Sequence, residues 1–343
     1  MLLPYFFIER RNKMKIKRSI RTVLAACSAC LLSAGIICFA ADRTAYLSDV
    51  SMENSFIRLS VEQDKSQGEY LRYRLDTTGG KTNNDDDDQK NITYRNFYSG
   101  YTTLNINGTE YVYGRGEDAG EPKFDADSRC HTSVQKFGDV TVEQKLSFAE
   151  VYTPDYEDML KISYRILDAG QNDRIGVRIL IDPMLSDDDS ATLSVKNTSV
   201  KNEAVFSQDM PENWKVQMRN NSKVAAYGKI TSDSQTPDSV TFADWSRLYD
   251  AVWGYSPDIE APVSDTAVAV KWEPVTSVSG KEFVTYYGIR NDVSTGSDNT
   301  AKIIKSPKTS DTFPLRSIAL LGSAAASVAG YLIIRRKESR NEA

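Results

Sequence analysis

One histidine, His131, stands in 343 residues, and three of the four cysteines (Cys27, Cys30 and Cys38) fall within the first 40. Beyond residue 40 the lone Cys130 cannot close an internal disulfide, so a domain there must be held by its core. A zinc site built from histidine and cysteine is excluded by number. Cys130 and His131 are neighbours, and on a strand adjacent side chains point to opposite faces, which argues against a Cys–His dyad. Positive charge is also in deficit. Residues 41–309 carry 30 Lys and Arg against 43 Asp and Glu, near −13, and nucleic acid is no partner for such a surface. Cations, glycans and basic proteins are. A phosphate loop is missing as well: Gly79-Gly80-Lys81-Thr82 has Leu75 where the first glycine belongs, and no helix follows. Helical periodicity is absent from residues 45–293, apart from a short stretch at 241–250, and so is any internal repeat.

What the sequence has instead is a period of two. Residues 140–148 mostly alternate apolar and polar. Leu160, Ile162, Tyr164 and Ile166 alternate with Lys161, Ser163 and Arg165, and Ile175, Val177, Ile179 and Ile181 run across Arg178. These are half-buried strands. Asn107-Gly108, between two apolar runs, predicts a hairpin with a type I′ turn. The expected fold is all-β, a large antiparallel β-sandwich over residues 45–293.

The two ends are built differently. Lys15, Lys17, Arg18 and Arg21 precede an apolar run, Val23 to Phe39, and the small-residue site Cys38-Phe39-Ala40. That order predicts a signal peptide over residues 1–40, with a helical apolar region and Met14 as a more ordinary start than Met1. At the other end stand Ser306, Pro307, Lys308, Thr309 and Ser310. An apolar stretch at 315–334 follows, then Arg335-Arg336-Lys337. Twenty residues cross a hydrocarbon core of roughly 30 Å, and the basic tail at 335–343 would stay cytoplasmic. The order resembles the sorting signal of sortase-anchored surface proteins of Gram-positive bacteria, in particular the Ser-Pro-Lys-Thr-Gly variants of clostridial type, with Ser310 in place of glycine. The resemblance implies that a sortase cysteine attacks the Thr309 carbonyl, the Ser310 amine leaves, and Thr309 is joined to peptidoglycan. Residues 294–314 would then be stalk and sorting motif, and 315–334 a transmembrane helix. A plain type I membrane anchor is the alternative.

Segments 75–80 (Leu-Asp-Thr-Thr-Gly-Gly), 99–108 (Ser-Gly-Tyr-Thr-Thr-Leu-Asn-Ile-Asn-Gly) and 174–185 (Arg-Ile-Gly-Val-Arg-Ile-Leu-Ile-Asp-Pro-Met-Leu) look like parts of clostridial surface proteins of the galactose-mutarotase-like supersandwich class. The resemblance implies a fold and no reaction. Sugar mutarotation in that class uses paired histidines, which this chain lacks.

Three kinds of site residue stand out. Asp182, Asp187 and Asp189, just after a strong strand, are hard oxygen ligands suited to Ca²⁺; the run Asp85–Asp88 reads as a solvated loop tip. Trp245, Trp253 and Tyr255 have flat apolar faces with polar edges that suit a glycan. Glu117, Asp118, Glu121, Glu203 and Glu260 could supply the carboxylate pair of a glycoside hydrolase or lyase. The expected role is display of a binding or structural domain, with a glycan or host-matrix ligand. A carboxylate-dependent carbohydrate-active enzyme is the runner-up.

Overall fold

The computed structural model describes residues 50–78, 90–152, 154–221, 224–230, 235–290 and the strand 302–305. The signal peptide, the Asp85–Asp88 run, the sorting motif, the transmembrane helix and the basic tail lie outside the described residues.

Strands dominate, and they form three sheets. A ten-stranded sheet runs Thr198–Ser199, Thr192–Val195, Asn213–Gln217, Ala225–Lys229, Glu282–Gly288, Met159–Asp168, Val140–Ala149, Cys130–Phe137 and Glu117–Asp118, with Lys123–Asp125 also paired to Cys130–Phe137. A six-stranded sheet runs Ala204–Phe206, Ser239–Asp244, Thr266–Val275, Ile175–Ile181, Tyr101–Ile106 and Thr109–Val112. The smallest contains Lys302–Lys305, Val50–Glu53, Ile57–Val61 and Tyr73–Thr77; Lys302–Lys305 falls within the segment that the sequence reads as stalk. The pairings inside the two larger sheets are antiparallel. Leu146 and Ile162 of the ten-stranded sheet, Ile179 and Val270 of the six-stranded sheet, and Leu59 and Leu75 of the smallest share one buried core. The expected all-β sandwich is therefore the fold.

The period of two explains the ten-stranded sheet. Along Val140–Ala149, Val140, Val142, Gln144, Leu146 and Phe148 are buried and the residues between them are not. A strand with one face on a core and one in water must alternate in this way. The Asn107-Gly108 turn is also as expected. Both residues have positive φ (54° and 86°) and Ile106 pairs with Thr109, the geometry a two-residue type I′ turn requires.

Ile175–Ile181 departs from the alternation: all seven residues are buried. The six-stranded sheet has cover on its second face. The helix Trp245–Asp250 and the loop after it lie there, and Leu248 packs with Tyr101, Leu180, Ala267 and Ala269 in a second, smaller core. Arg178, which periodicity places toward solvent, is 1% exposed beneath this cover. Its guanidinium donates to the carbonyls of Leu248 (2.7 Å) and Val252 (3.1 Å). The cation thus meets the Leu248 carbonyl in the last turn of the helix, where positive charge is favoured, and shares the Val252 carbonyl beyond it with the Thr103 hydroxyl (2.8 Å). The helix occupies part of the 241–250 stretch; residues 241–244 end the strand Ser239–Asp244.

Candidate functional site

Asp182 follows directly on the strand Ile175–Ile181, and Asp265 directly precedes Thr266–Val275. These strands are antiparallel neighbours, with Ile181 opposite Val268. The end of one therefore lies beside the start of the other, and two carboxylates about eighty positions apart meet. Asp189 joins them from the next turn. Leu185 and Asp188 exchange backbone hydrogen bonds of 3.2 and 2.9 Å, and Ser186 takes a positive φ of 60°. The reversal brings Asp189 back to the strand ends and leaves Asp187 exposed at the tip. Asp188 turns to Arg219, which holds it through its backbone N–H (2.7 Å) and its guanidinium (Nη2 at 2.9 Å).

One carboxylate oxygen each from Asp182, Asp189 and Asp265 lies within 4.8 Å of the others. Asp182 is 3% exposed, while Asp189 and Asp265 are half-buried and form the side nearer solvent. In all three the Oδ1 atom is buried with no hydrogen-bond partner among the described residues. Burial pushes Asp182 well above the usual carboxylate range, opposed by a hydrogen bond with Ser99 and reinforced by Asp265 and Asp189. Burial likewise pushes Asp265 up to about 7, with Asp189 and Asp244 adding to it. Asp189 is raised by burial, with Arg95 opposing and Asp188 assisting. Of the Ca²⁺ ligands expected from the sequence, the structure brings together Asp182 and Asp189. It places Asp187 away from them and supplies Asp265 instead.

Aromatic rings border this group. The Tyr94 backbone N–H donates to the Asp182 carbonyl (3.0 Å), and the Trp245 backbone N–H donates to the Asp265 carbonyl (2.7 Å). The Trp245 indole N–H reaches the Ser99 carbonyl at 3.0 Å. Ring centroids step from Tyr94 to Tyr98 (5.4 Å), to Trp245 (6.2 Å) and to Tyr249 (4.9 Å), and all four residues are half-buried. The Tyr98 hydroxyl donates to that of Tyr94 (3.2 Å). That bond, then burial, then the neighbouring charges of Tyr98 and Asp189 push the Tyr94 phenol up to about 12. Tyr94 and Tyr98 had no signal in the sequence; they lie in a loop without periodicity.

The other aromatics named from sequence serve packing. Trp253 is 9% exposed, with Lys271 Nζ 4.8 Å from its ring centre. Its ring lies on Gly176, where a Cβ would stand 2.7 Å from Cη2, so only glycine leaves it room. Tyr255 donates to Glu203 (2.6 Å).

The candidate acids divide in the same way. Glu203 is fully enclosed and also accepts from the Asp258 N–H (2.8 Å) and Arg247 (2.8 Å). Glu117 and Glu260 are exposed. Asp118 and Glu121 line one cleft of about 520 Å³ with Gln63, Lys65 and Tyr70. In it Asp118 receives Tyr70 (2.7 Å), Lys65 (2.6 Å) and Gln135 (2.9 Å). Burial raises Asp118, but these bonds outweigh it and hold the carboxyl below its usual range. His131, fully buried against Phe124, is driven down to about 3 by burial, which keeps the imidazole neutral at neutral pH.

No protein-family model matches the chain, and no curated protein sequence is similar to it. Among solved structures, a mutant of heparan sulfate lyase HepC from Pedobacter heparinus is similar with a TM-score of 0.38 and 8% identity, over 70% of this chain and 34% of that one. A bacterial glucoamylase complexed with acarbose is similar with a TM-score of 0.33 and 8% identity, over 80% and 33%. The chain spans about a third of the length of each. Likeness this weak bears on neither substrate nor chemistry.

Proposed function

We propose that this protein displays a glycan-binding β-sandwich on the surface of a Gram-positive cell. The observation that carries the reading is the row Tyr94–Tyr98–Trp245–Tyr249, half-buried beside a group of carboxylates. Flat rings offer a sugar its apolar face, while hydroxyls and carboxylates at their edges take its polar one. Trp245 carries the largest share of contact, and Trp253 serves the fold beneath. A glycan array probed with the full chain tests this. Trp245→Ala should lose about tenfold in affinity, worth about 1.4 kcal/mol, while Trp253→Ala should lower stability without selective loss of binding. An array with no hits, or hits that survive Trp245→Ala, would sink the reading.

Display rests on the sorting-signal resemblance. A sortase would join Thr309 to peptidoglycan, the 315–334 helix holding the chain in the membrane until then. Thr309→Ala should move the protein out of the wall fraction. If it does not, the plain membrane anchor takes its place.

The cleft supports a second reading, a carbohydrate-active hydrolase or lyase, because it brings Asp118 and Glu121 into one lining. Asp118, held ionised, would be the base or nucleophile. Release of reducing or unsaturated ends from a polysaccharide panel, abolished in Asp118→Asn, is the outcome this reading requires.

A further inference from the structure

We propose that Asp182, Asp189 and Asp265 form a binding site for one Ca²⁺ ion. Acidic clusters are common on protein surfaces, and three carboxylates alone would not carry this. The telling observation is Asp182. It is 3% exposed, and its Oδ1 atom, shut off from water, has no hydrogen-bond partner among the described residues. A buried oxygen bearing charge is costly to leave unmatched. Ser99 bonds the Asp182 carboxylate, a carboxylate oxygen each from Asp189 and Asp265 lies within 4.8 Å of one from Asp182, and the Oδ1 atoms of both are likewise buried without a partner among the described residues. Ionised carboxylates have no proton to offer one another, so in their charged state a cation is what answers this arrangement.

The dimensions agree with the ion. Ca²⁺ takes oxygen ligands at about 2.3–2.6 Å, so two ligands across its sphere stand about 4.6–5.2 Å apart. The three oxygens lie within 4.8 Å of one another, inside that span. With only carboxylates converging, the site favours a hard cation over the nitrogen- and sulfur-loving metals. Three protein oxygens leave coordination positions for water, as Ca²⁺ sites allow. Surrounding charge is compatible. Arg95 is the cation that acts on Asp189, against the negative charges of Asp188 on Asp189 and Asp244 on Asp265. Asp188 itself is engaged by Arg219.

The site uses the carboxylates that border the aromatic row, but its test reads the ion alone, with no glycan present, so either reading can fail without the other. Structurally, the ion would tie the ends of Ile175–Ile181 and Thr266–Val275 to the turn that follows Leu185, adding to the Thr266 hydroxyl's bond to the Ala191 carbonyl (3.2 Å).

The test is calorimetric titration of CaCl₂ into the chelator-treated full chain, paired with thermal unfolding. One ion per chain is expected, with a Kd of about 0.1–1 mM, the range of extracellular modules. Saturation should raise Tm by several degrees, reversed by chelator, because the ion binds the folded state. Asp182→Asn and Asp265→Asn should each weaken uptake at least tenfold, and Asp187→Asn should leave it unchanged. If Asp182→Asn does not fold, Asp189→Asn on the open side gives the same reading. Absence of heat and of any Tm shift at about 10 mM Ca²⁺, far above that range, would overturn the proposal. So would uptake that persists unchanged in the Asp182, Asp189 and Asp265 variants, since the ion would then sit elsewhere.

Discussion

Two carboxylates are buried near the helix Trp245–Asp250, and they are treated in opposite ways. Glu203, with its side chain fully enclosed, meets the Tyr255 hydroxyl, the Asp258 and Asp244 N–H groups and the Arg247 guanidinium. Asp182 is almost as deep, yet one of its oxygens meets nothing and its closest charged company is two more acids. Burial alone therefore does not mark a functional group. What separates the two is whether the protein supplies the partners itself: Glu203 holds loops in place, and Asp182 has capacity left for something outside the chain.

That contrast can be broken by experiment, beginning where the effect is largest. Glu203→Ala should destabilise the fold by about 2 kcal/mol, because it strands several partly buried donors; the half-exposed Arg247 adds little, since water reaches it. Chemical denaturation measures this, and a loss below about 1 kcal/mol, the net worth of one ordinary hydrogen bond, would mean the hub is dispensable.

His131 extends the comparison to a base. Gln63 Nε2 lies 3.2 Å from its Nε2, but Nδ1 is buried without a partner. With its folded pKa lowered to about 3 from 6.5, the unfolded chain takes up a proton that the folded chain refuses. No penalty exists above pH 6.5, and stability drains away as pH falls from there toward 3, by about 3 kcal/mol at pH 4. Asp182, Asp189 and Asp265, raised by burial, work in the other direction. The informative quantity is therefore the difference between wild type and His131→Gln: the variant should lose less stability between pH 7 and pH 4. Parallel pH profiles would show the imidazole to be better accommodated than its surroundings indicate.

Asp182→Asn, measured in chelator, should change stability by no more than about 1 kcal/mol, because burial already disfavours the charged form of Asp182 and a neutral amide removes little. A loss resembling that of Glu203→Ala would erase the distinction between the two carboxylates. Smallest of all, Asp187→Ala should stay within about 0.5 kcal/mol of wild type, as an exposed turn residue.

The same physics decides what the sequence made legible. Val140–Ala149 and Met159–Asp168 could be read because each has one face on the core and one largely in water, which writes burial into alternation. Arg178 could not, since a helix some seventy residues later covers its face of the sheet. Asp182 and Asp189 were within reach as acids following a strong strand. Asp265 was not, because its place beside them comes from the register of Ile175–Ile181 against Thr266–Val275, which no local pattern encodes. Asp187 looked equivalent to its neighbours only because one-dimensional spacing does not show which residue a tight turn pushes outward. Trp253 and Tyr255 shared the composition of a sugar platform, but Gly176 and Glu203 claim them from across the fold.

Arg178 has a consequence for recognition. A six-residue helix has too few internal bonds to persist alone in water, and here the guanidinium fastens it and the chain just after it to the six-stranded sheet through Leu248 and Val252. Trp245 and Tyr249 therefore inherit the stillness of the sheet instead of the freedom of a loop. A ligand settling on them would find its surface already arranged, with little disorder left to surrender on either ring. Loosening that fastening should tax association through entropy while every contacting atom stays the same.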